Sequence, residues 1–479
     1  MSSNLSGLEF IIPLNSHSST DFQAQLASRL EQNNASALIF PQNQEYLGDI
    51  EQKVANKSIL TDHLNHKPSH DFSHLINKYS INSPRSFIFP QLVYDYEYLK
   101  PSGGRFLPDG PTSPNCEKYL TRLHLLLDYL DGLYERGFQG IPIQNQGGEI
   151  NRRALARVAK YHEIPSVRCS FNPLPGRSTI RNGEEMYFQE VDSALEHDLT
   201  KEQEKRAEQY RLTVIRDKPQ VGSNSGSSQQ TSLVKNILGK LQTVWNEKSD
   251  SLPLIYKWSR RTLGKPIQAK AQQFWSLNRN DTDEYIQNTE FVFYPIQYFR
   301  ESRVTMRSPA FYDQARLIEH LSRSVPHETS LCVKDHPQQC GAMPFFDIRR
   351  ISRYATLADP SFSAHDIIEN AEAVVTLNNT VGHEAIVFGK PVVALGSALY
   401  SDLKSVVSPS DINELDMAIS EAINKGGLSD DEVRHYIDAL FRISEPVVWG
   451  DPDYENISNF VSAIEFSLNN TDRNVRHIV

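Results

Sequence analysis

Cysteine is scarce in this sequence and long apolar runs are absent, and each absence excludes a class of protein. The four cysteines show no C-x-x-C spacing, which argues against a zinc site and against a disulfide framework. No stretch approaches the roughly 18 consecutive apolar residues of a transmembrane helix, and residues 1–10 lack the features of a secretory signal. We therefore expect a cytoplasmic protein, which a lipid-linked substrate would bring to the inner face of the cell membrane by peripheral association.

An excess of basic residues is also missing. The 49 Lys and Arg residues against 59 Asp and Glu residues give a formal net charge of −10 at pH 7, so the sequence lacks the basic character that nucleic-acid binding needs. We expect no nucleic-acid partner. The sequence also contains no G-x-x-x-x-G-K-[ST] phosphate loop and no serine-hydrolase elbow.

Alternating strand and helix patterns predict an α/β fold in both halves of the 479 residues. In the first half, apolar runs predict strands and amphipathic stretches predict helices. The strands are 8–14, 36–40, 140–144 and 165–171, and the helices are 21–30, 117–134 and 149–161. The second half alternates strand and helix between 290 and 395, and three helical patterns follow between 412 and 468. This order predicts parallel sheets with helices on both faces.

A stretch almost free of apolar residues separates the two halves. Residues 217–232 are rich in Gly, Ser, Asn and Gln, a composition typical of a flexible linker. We predict five segments: an N-terminal α/β domain at 1–215, a linker or loop at 216–232, a helical connector at 233–284, a second α/β domain at 285–410 and a C-terminal helical segment at 411–479.

Polar residues follow the predicted strand at 373–377. In an open parallel sheet the carboxyl ends of the strands meet at one crevice, where ligands bind. Asn378, Asn379 and Thr380 come first, and Gly382 and Glu384 lie at the start of the next helix. Unpaired N–H groups at a helix start attract phosphate, and a Glu384 carboxylate there can accept hydrogen bonds from ribose hydroxyls. An ordinary N-capped helix fits the same pattern, and the sequence leaves both interpretations open.

Two further strand ends carry candidate residues. Lys334 and His336 end the strand at 330–334, and we expect both to face the crevice, where Lys334 would neutralise and His336 would donate to an anionic leaving group. An ordinary turn explains the His-Pro pair more simply when the pair is taken by itself. Arg300 and Glu301 follow the strand at 290–294, where they can also form an exposed ion pair of little energetic consequence.

Five motifs occur in a fixed order in the second half. They are Tyr-Pro-Ile-Gln (294–297), Arg-Ser-Pro-Ala-Phe-Tyr-Asp-Gln (307–314), Val-Lys-Asp-His-Pro (333–337), Leu-Asn-Asn-Thr-Val-Gly-His-Glu-Ala (377–385) and Gly-Lys-Pro-Val-Val-Ala-Leu-Gly (389–396). This series resembles the capsule polysaccharide biosynthesis protein family, which includes bacterial β-Kdo transferases that use a CMP-activated sugar. The chain departs from that family at Asn379, where Ser is more common, and at Arg300-Glu301, where the Kdo-transferring members tend to carry Asp.

The resemblance implies a glycosyltransferase with two Rossmann-like lobes in a GT-B-like arrangement and extra C-terminal helices. The lobe at 285–410 would bind the nucleotide sugar, with a CMP-linked sugar as the family's example, and the lobe at 1–215 would bind the polysaccharide or glycolipid acceptor. The residues implied to line the nucleotide-sugar site are Lys334, His336, Asn378, Asn379, Thr380, Gly382 and Glu384, with Gly396 and Tyr400 at its far edge. No cofactor besides the donor substrate is expected.

An inverting transferase needs a carboxylate or a histidine to deprotonate the acceptor hydroxyl. Our candidate is Glu149, beside Gly147-Gly148 at a predicted strand-to-helix turn, with Glu301 second, although a structural role explains Glu149 more simply. The sequence Asp451-Pro452-Asp453 is similar to a D-x-D metal motif but precedes a helix, where Asp caps. We predict no metal site, because cationic side chains and a helix start can stabilise the leaving phosphate.

Two other functions stay open at this point. A glycerophosphotransferase of the teichoic-acid type would share the His-Pro pair and the helix start. A non-catalytic polysaccharide-binding or export-accessory protein would keep the fold without the chemistry. Fold-level resemblance alone does not distinguish them.

Overall fold

The computed structural model describes residues 5–16, 19–42, 44–54, 58–96, 114–183, 191, 198–218, 265–299, 301–336, 339–341, 343 and 345–469. The chain divides into two compact units. The first comprises Met1–Leu92, Pro108–Tyr187 and Leu440–Val479, and the second comprises Val93–Leu107 and Phe188–Ala439. Among the described helices, none combines the length and the apolar character needed to cross a bilayer.

The first unit contains a five-stranded sheet in the order β2-β1-β3-β4-β5. Its strands are β1 Glu9–Leu14, β2 Ser36–Pro41, β3 Ile141–Asn145, β4 Val167–Phe171 and β5 Ser178–Asn182. The first four are parallel, whereas β5 runs antiparallel to β4. Phe10, Ile11 and Ile12 in β1 are fully buried although they alternate between the two faces, because helices cover both sides of a parallel sheet.

Six α-helices of the first unit precede its last strand. They are α1 Thr20–Gln32, α2 Leu47–Glu51, α3 Phe72–Lys78, α4 Pro84–Tyr96, α5 Pro114–Glu135 and α6 Ile150–Tyr161. Short 3-10 helices occupy Gln44–Tyr46 and Asp62–Leu64. The predicted strands and the helices α1, α5 and α6 agree with the structure. The sequence analysis did not anticipate β5, α2, α3 and α4.

The second unit contains a six-stranded, fully parallel sheet in the order β11-β10-β9-β6-β7-β8. Its strands are β6 Phe291–Pro295, β7 Ser330–Lys334, β8 Thr356–Leu357, β9 Ala373–Thr376, β10 Val392–Ala394 and β11 Val406–Val407. The chain enters at β6 in the centre, builds outward to β8, and then returns to β9 on the other side of β6. This is the Rossmann strand order, and its switch point lies between the carboxyl ends of β6 and β9.

Nine α-helices accompany this sheet in the described residues. They are α7 Lys201–Asp217, α8 Lys265–Trp275, α9 Arg279–Asn288, α10 Gln314–Ser324, α11 Phe345–Ile351, α12 Ala364–Asn370, α13 Thr380–Val387, α14 Leu415–Lys425 and α15 Asp430–Arg442. A π-helix at Arg303–Arg307 and 3-10 helices at Pro309–Phe311 and Ile412–Glu414 complete the unit. Helix α10 starts at Gln314, because the Asp313 side chain accepts a hydrogen bond from the N–H of Arg316 and caps the helix there.

The last helix, α16 Tyr454–Asn469, belongs to the first unit and packs against α1 and β5. Phe460 on α16 is fully buried, and its ring lies 5.4 Å from Phe22 and 5.9 Å from Trp449. Asp453 accepts a hydrogen bond from the N–H of Glu455 at 3.0 Å. The interpretation of the Asp-Pro-Asp sequence as a helix cap therefore agrees with the geometry.

The structure confirms the fold class of two Rossmann-like α/β lobes with additional C-terminal helices. The segment boundaries differ from those predicted. Helix α7 was placed in the N-terminal domain but belongs to the second unit, where it contacts α13, and residues 440–479 return to the first unit. The predicted linker from 219 onward and the connector up to 264 lie outside the described residues.

The contact between α16 and the first unit provides a test of this assignment. Phe460→Ala should lower the free energy of unfolding by about 3 to 5 kcal/mol, because it removes a fully buried ring and leaves a cavity. Urea denaturation followed by circular dichroism measures this change. Phe466→Ala is the matched control on the same helix, since Phe466 is 61% exposed, and equal effects of the two variants would contradict the proposed packing.

Candidate functional site

The loops after β6 and β9 meet at the switch point of the second sheet. Gln297, two residues after β6, donates its side-chain N–H to Oδ1 of Asn378 at 3.1 Å. Both residues are buried, and Oε1 of Gln297 is a buried oxygen without a hydrogen-bond partner in the described part of the chain. An unsatisfied buried oxygen is costly, so a ligand donor at the switch point would stabilise it.

The Asn378 side chain connects the loop after β9 to the segment that contains Arg303 and Ser308. Its side-chain N–H groups donate to the backbone oxygen of Arg303 at 2.9 Å and to Oγ of Ser308 at 3.0 Å. A Cβ atom on Gly396, after β10, would lie 2.1 Å from the same Ser308 Oγ. Glycine is therefore required at 396 for the Arg-Ser-Pro segment to approach the sheet. These contacts bring together two motifs of the series, the one at 307–314 and the one at 389–396.

The start of α13 is capped by its own chain. The Asn379 side chain accepts hydrogen bonds from the N–H groups of Val381 and Gly382 at 3.1 and 3.4 Å and from the Thr376 hydroxyl at 2.7 Å. The expectation that these N–H groups are unpaired is wrong, because a short amide side chain at the N-cap satisfies them locally. Asn379 thus has a structural role, and Thr380 is the first residue of the helix.

Gly382 makes room for Tyr400. A Cβ atom on Gly382 would lie 2.1 Å from the Tyr400 hydroxyl oxygen, and that hydroxyl donates to the backbone oxygen of Asn379 at 2.7 Å. Burial raises the pKa of Tyr400, so its hydroxyl stays protonated. The absence of a side chain at Gly382 therefore lets the Tyr400 ring approach the start of α13.

Lys334, at the end of β7, is a buried ammonium group. Only 5% of the residue is exposed, and the single hydrogen bond from Nζ is a long one of 3.4 Å to the backbone oxygen of Asp335. No described carboxylate lies within ion-pair distance of Nζ. Burial lowers the pKa of Lys334, and the Asp335, Asp359 and Glu384 carboxyl groups oppose that shift. Burial of a cation without a counter-ion is energetically costly, so an anionic ligand would stabilise Lys334.

Asp335 positions the loop that carries Lys334 and His336. Its carboxylate accepts hydrogen bonds of 2.8 Å from the side chains of Gln272 and Gln339 and from the N–H of His336. Both oxygens accept hydrogen bonds from the protein in this way, so Asp335 acts on the site by positioning the loop. Burial raises the pKa of Asp335.

His336 and Glu301 belong to neighbouring loops. The His336 ring is stacked on Tyr298, with ring centroids 5.8 Å apart. Burial lowers the pKa of His336, and the negative charge of Glu301 opposes that shift. Glu301 is half-buried and accepts a 3.4 Å hydrogen bond from Gln297, so its side chain has a partner of its own. Arg300, its predicted ion-pair partner, lies outside the described residues.

Glu384 is a buried carboxyl group next to an unsatisfied histidine. Burial raises the pKa of Glu384 to about 8, and Lys334 opposes the shift, so the group is mainly a neutral acid at pH 7. Oε2 of Glu384 lies 3.6 Å from Nε2 of His365 on α12. That nitrogen is buried and lacks a hydrogen-bond partner among the residues described. A neutral Glu384 can both donate to a ligand and accept from it.

Glu149 lies in the first unit, at the N-cap of α6, where its carboxylate forms a 2.9 Å ion pair with Arg152. The ion pair packs against Gly147, where a Cβ atom would lie only 2.1 Å from Oε2 of Glu149. Asn151 next to it donates to Asn15, at the end of β1, at 2.6 Å. The polar groups therefore gather at the switch point of the first sheet, and the carboxylate is already engaged by a guanidinium.

One group of potential metal ligands occurs elsewhere in the first unit: Asp131, Glu135 and His162. Lys78 places its ammonium on both carboxylates, at 2.7 Å from Asp131 and 2.6 Å from Glu135. The protein's own cation therefore satisfies the negative charge that would attract a metal ion. We interpret the cluster as an ion-pair network that joins α3 and α5.

The structure brings the site residues predicted in the second half to one edge of one sheet, at the ends of β6, β7 and β9. Sequence reasoning missed three residues there. Gln297 was noticed but given no role, His365 lies on a helix without a motif, and Arg303, whose charge acts on His336 and Tyr400, lies in a π-helix. The adjacent Arg-Ser-Pro motif was the only signal for Arg303.

Comparison with known proteins supports the resemblance. The family model described as capsule polysaccharide biosynthesis protein matches residues 255–403, which contain all the site residues of the second unit. Two curated proteins are similar to this chain. Protein FixF of Sinorhizobium fredii is 31% identical over 150 residues, which make up 30% of this chain and 35% of FixF. The capsule polysaccharide export protein KpsS of Escherichia coli is 28% identical over 130 residues, which make up 25% of this chain and 33% of KpsS. The matched region thus spans about a third of each relative.

Among solved structures, the β-Kdo 2,7 transferase KpsC of Thermosulfurimonas dismutans is similar at 12% identity, with 70% of this chain and 88% of that chain covered and a TM-score of 0.37. The family match confirms the resemblance inferred from the motif series, because it covers the same segment of the chain.

The raised pKa of Glu384 predicts a pH-dependent stability. Between pH 5 and pH 8 the folded protein keeps on Glu384 a proton that the unfolded chain has lost. The stability from this group is present below the unfolded pKa and is lost as the pH rises, by up to about 1.4 kcal/mol per pH unit.

Relative to Glu384→Gln, which cannot ionise, the parent should therefore lose stability from pH 5 to pH 8 and change little above that. Urea denaturation of both proteins across this range gives the difference. A constant difference would show that Glu384 is already ionised in the folded protein at pH 5.

Proposed function

We propose that the chain is a glycosyltransferase that binds a nucleotide sugar at the carboxyl ends of β6, β7 and β9 and transfers the sugar to a surface polysaccharide or its lipid-linked precursor. The observation that carries the proposal is the Lys334 ammonium, which is buried at a strand end and has no carboxylate of the described residues in ion-pair distance. The phosphate of a nucleotide would supply the missing negative charge.

Besides Lys334, three sets of side chains at this edge of the sheet can bind the phosphate or the ribose of a nucleotide sugar. His336 follows on the same loop and can donate a hydrogen bond to the leaving phosphate. Glu384 and His365 offer a buried donor and acceptor pair for ribose hydroxyls, and Oε1 of Gln297 offers another acceptor. Cationic side chains that face the leaving group stabilise the negative charge that develops there. In this proposal the reaction needs no metal ion.

The acceptor hydroxyl must lose a proton during transfer. Glu301 is the better candidate base in the second unit, because its charge acts on His336 and the hydrogen bond that it accepts from Gln297 is a long one of 3.4 Å. Glu149 is the weaker candidate, since Arg152 neutralises it. The match of residues 255–403 to the capsule polysaccharide biosynthesis family supports a surface glycan as the acceptor class.

Nucleotide binding tests the role of Lys334. Lys334→Ala should weaken the binding of the best ligand from a panel of CMP, CDP, UDP and GDP by about 2 kcal/mol, roughly thirtyfold, because it removes a charged donor to phosphate. Isothermal titration calorimetry measures the dissociation constant. His336→Ala should have a smaller effect in the same direction.

The matched control is Lys425→Ala on α14, whose ammonium pairs with Glu421 at 2.6 Å and is 47% exposed. It should bind like the parent. If Lys334→Ala and His336→Ala also bind like the parent while both remain folded, the assignment of the site is wrong.

Product analysis separates the proposed transfer from its alternatives. Incubation with CMP- or UDP-sugars should give a glycan extended by one sugar without added phosphorus, because a glycosyltransferase releases the phosphate with the nucleotide. Phosphate in the product after incubation with CDP-glycerol would instead identify a glycerophosphotransferase. Nucleotide binding without any turnover would favour a polysaccharide-binding or export-accessory role.

A further inference from the structure

An exposed group of aromatic side chains lies on the second unit, away from the residues assigned to the site. We call Phe274, Trp275, Phe345 and Phe346 the aromatic patch. Phe274 is 80% exposed, Phe346 62% and Phe345 37%. Large exposed apolar groups that occur together mark an interaction surface, whereas single ones do not.

The four rings form one continuous surface. Phe274 and Trp275 end α8, and their ring centroids are 5.0 Å apart. Trp275 contacts Phe345 at the start of α11 at 4.5 Å, and Phe345 contacts Phe346 at 5.6 Å, both edge to face. These contacts hold the rings in place, so the surface is preformed.

Basic side chains flank the aromatic patch. Lys270 lies one helical turn before Phe274 on α8, and Arg349 lies one turn after Phe346 on α11, so each shares a helix face with an exposed ring. Arg353 follows in the turn after α11. All three are exposed. Cations beside aromatic rings suit the boundary between lipid headgroups and acyl chains.

We propose that the aromatic patch docks the second unit on a bilayer surface that contains anionic lipid. The rings would enter the interfacial region, and Lys270, Arg349 and Arg353 would meet lipid phosphates. The net charge of the chain is −10, so a general attraction to an anionic surface is absent and this local basic surface must supply the charge complementarity. Phe274 protrudes with most of its surface exposed, which suits insertion into a bilayer.

A second copy of the chain fits this surface less well. A two-fold interface through the aromatic patch would bring identical surfaces together, and the three cations of one copy would face those of the other. Such like-charge contacts are unfavourable. Charge complementarity therefore selects an anionic partner.

The aromatic patch is joined to the candidate site by one helix. Gln272 on α8, two residues before Phe274, donates a 2.8 Å hydrogen bond to Asp335, which orients the loop of Lys334 and His336. Docking through α8 would hold this loop close to the membrane, where a lipid-linked acceptor resides. Only this last step rests on the proposed function, and the docking itself rests on the surface.

Vesicle flotation of the full chain tests the proposal. The parent should float with vesicles of phosphatidylcholine and phosphatidylglycerol, and binding to phosphatidylcholine alone should be weak. Phe274→Ser combined with Phe346→Ser should lower the bound-to-free ratio at least about tenfold, because two exposed rings no longer leave water. Lys270→Ala with Arg349→Ala and Arg353→Ala should remove the preference for phosphatidylglycerol, and added salt should weaken the parent in the same way.

Met417→Ser is the matched control, since Met417 is exposed to 62% like Phe346 but lies on α14; it should float like the parent. Nucleotide titration of the patch variants should equal that of the parent, which shows that they are folded and separates failure of docking from failure of the site. Equal flotation of the parent and the double Phe variant would overturn the proposal. A parent that binds neither vesicle would also overturn it, as would a parent dimer that the Phe variants dissociate.

Discussion

An ammonium group buried at the end of a central strand is the constraint on which the candidate site depends. Only 5% of Lys334 is exposed, because β7 lies between β6 and β8 and helices cover the sheet. Burial lowers the pKa of His336 and raises that of Glu384, and the positive charge of Lys334 lowers both pKa values. Burial thus shifts the pKa values of three ionisable groups at one edge of the sheet, an arrangement typical of functional sites.

Hydrogen bonds between polar side chains fix the loops that carry these ionisable groups. Gln297, Asn378 and Ser308 connect the loops after β6 and β9, and the Asp335 carboxylate anchors the loop after β7. Glycine at 396 lets the Ser308 segment approach the sheet. The crevice is therefore preorganised, which reduces the ordering cost of binding a ligand.

The two units resemble each other in sheet topology and differ in the charged groups at their switch points. Both have a parallel sheet with a switch point, and polar side chains gather there in each. In the first unit Glu149 and Arg152 neutralise one another, whereas in the second no carboxylate among the residues described pairs with Lys334. Unpaired charge therefore distinguishes the sheet edge that we assign to the nucleotide. The aromatic patch adds to the second unit a surface that the fold itself does not require.

Local periodicity determined most strands and helices of this protein, because burial on one face or both leaves a pattern in neighbouring residues. The strand ends at Lys334 and Asn378 followed from the same pattern, since polar residues after a buried strand mark the edge of a parallel sheet. Only the tertiary structure decided that Asn379 caps α13, that burial beside His365 raises the pKa of Glu384, and that residues 440–479 return to the first unit. Each of these outcomes depends on desolvation or on a contact between side chains and segments that the sequence pattern does not place next to one another.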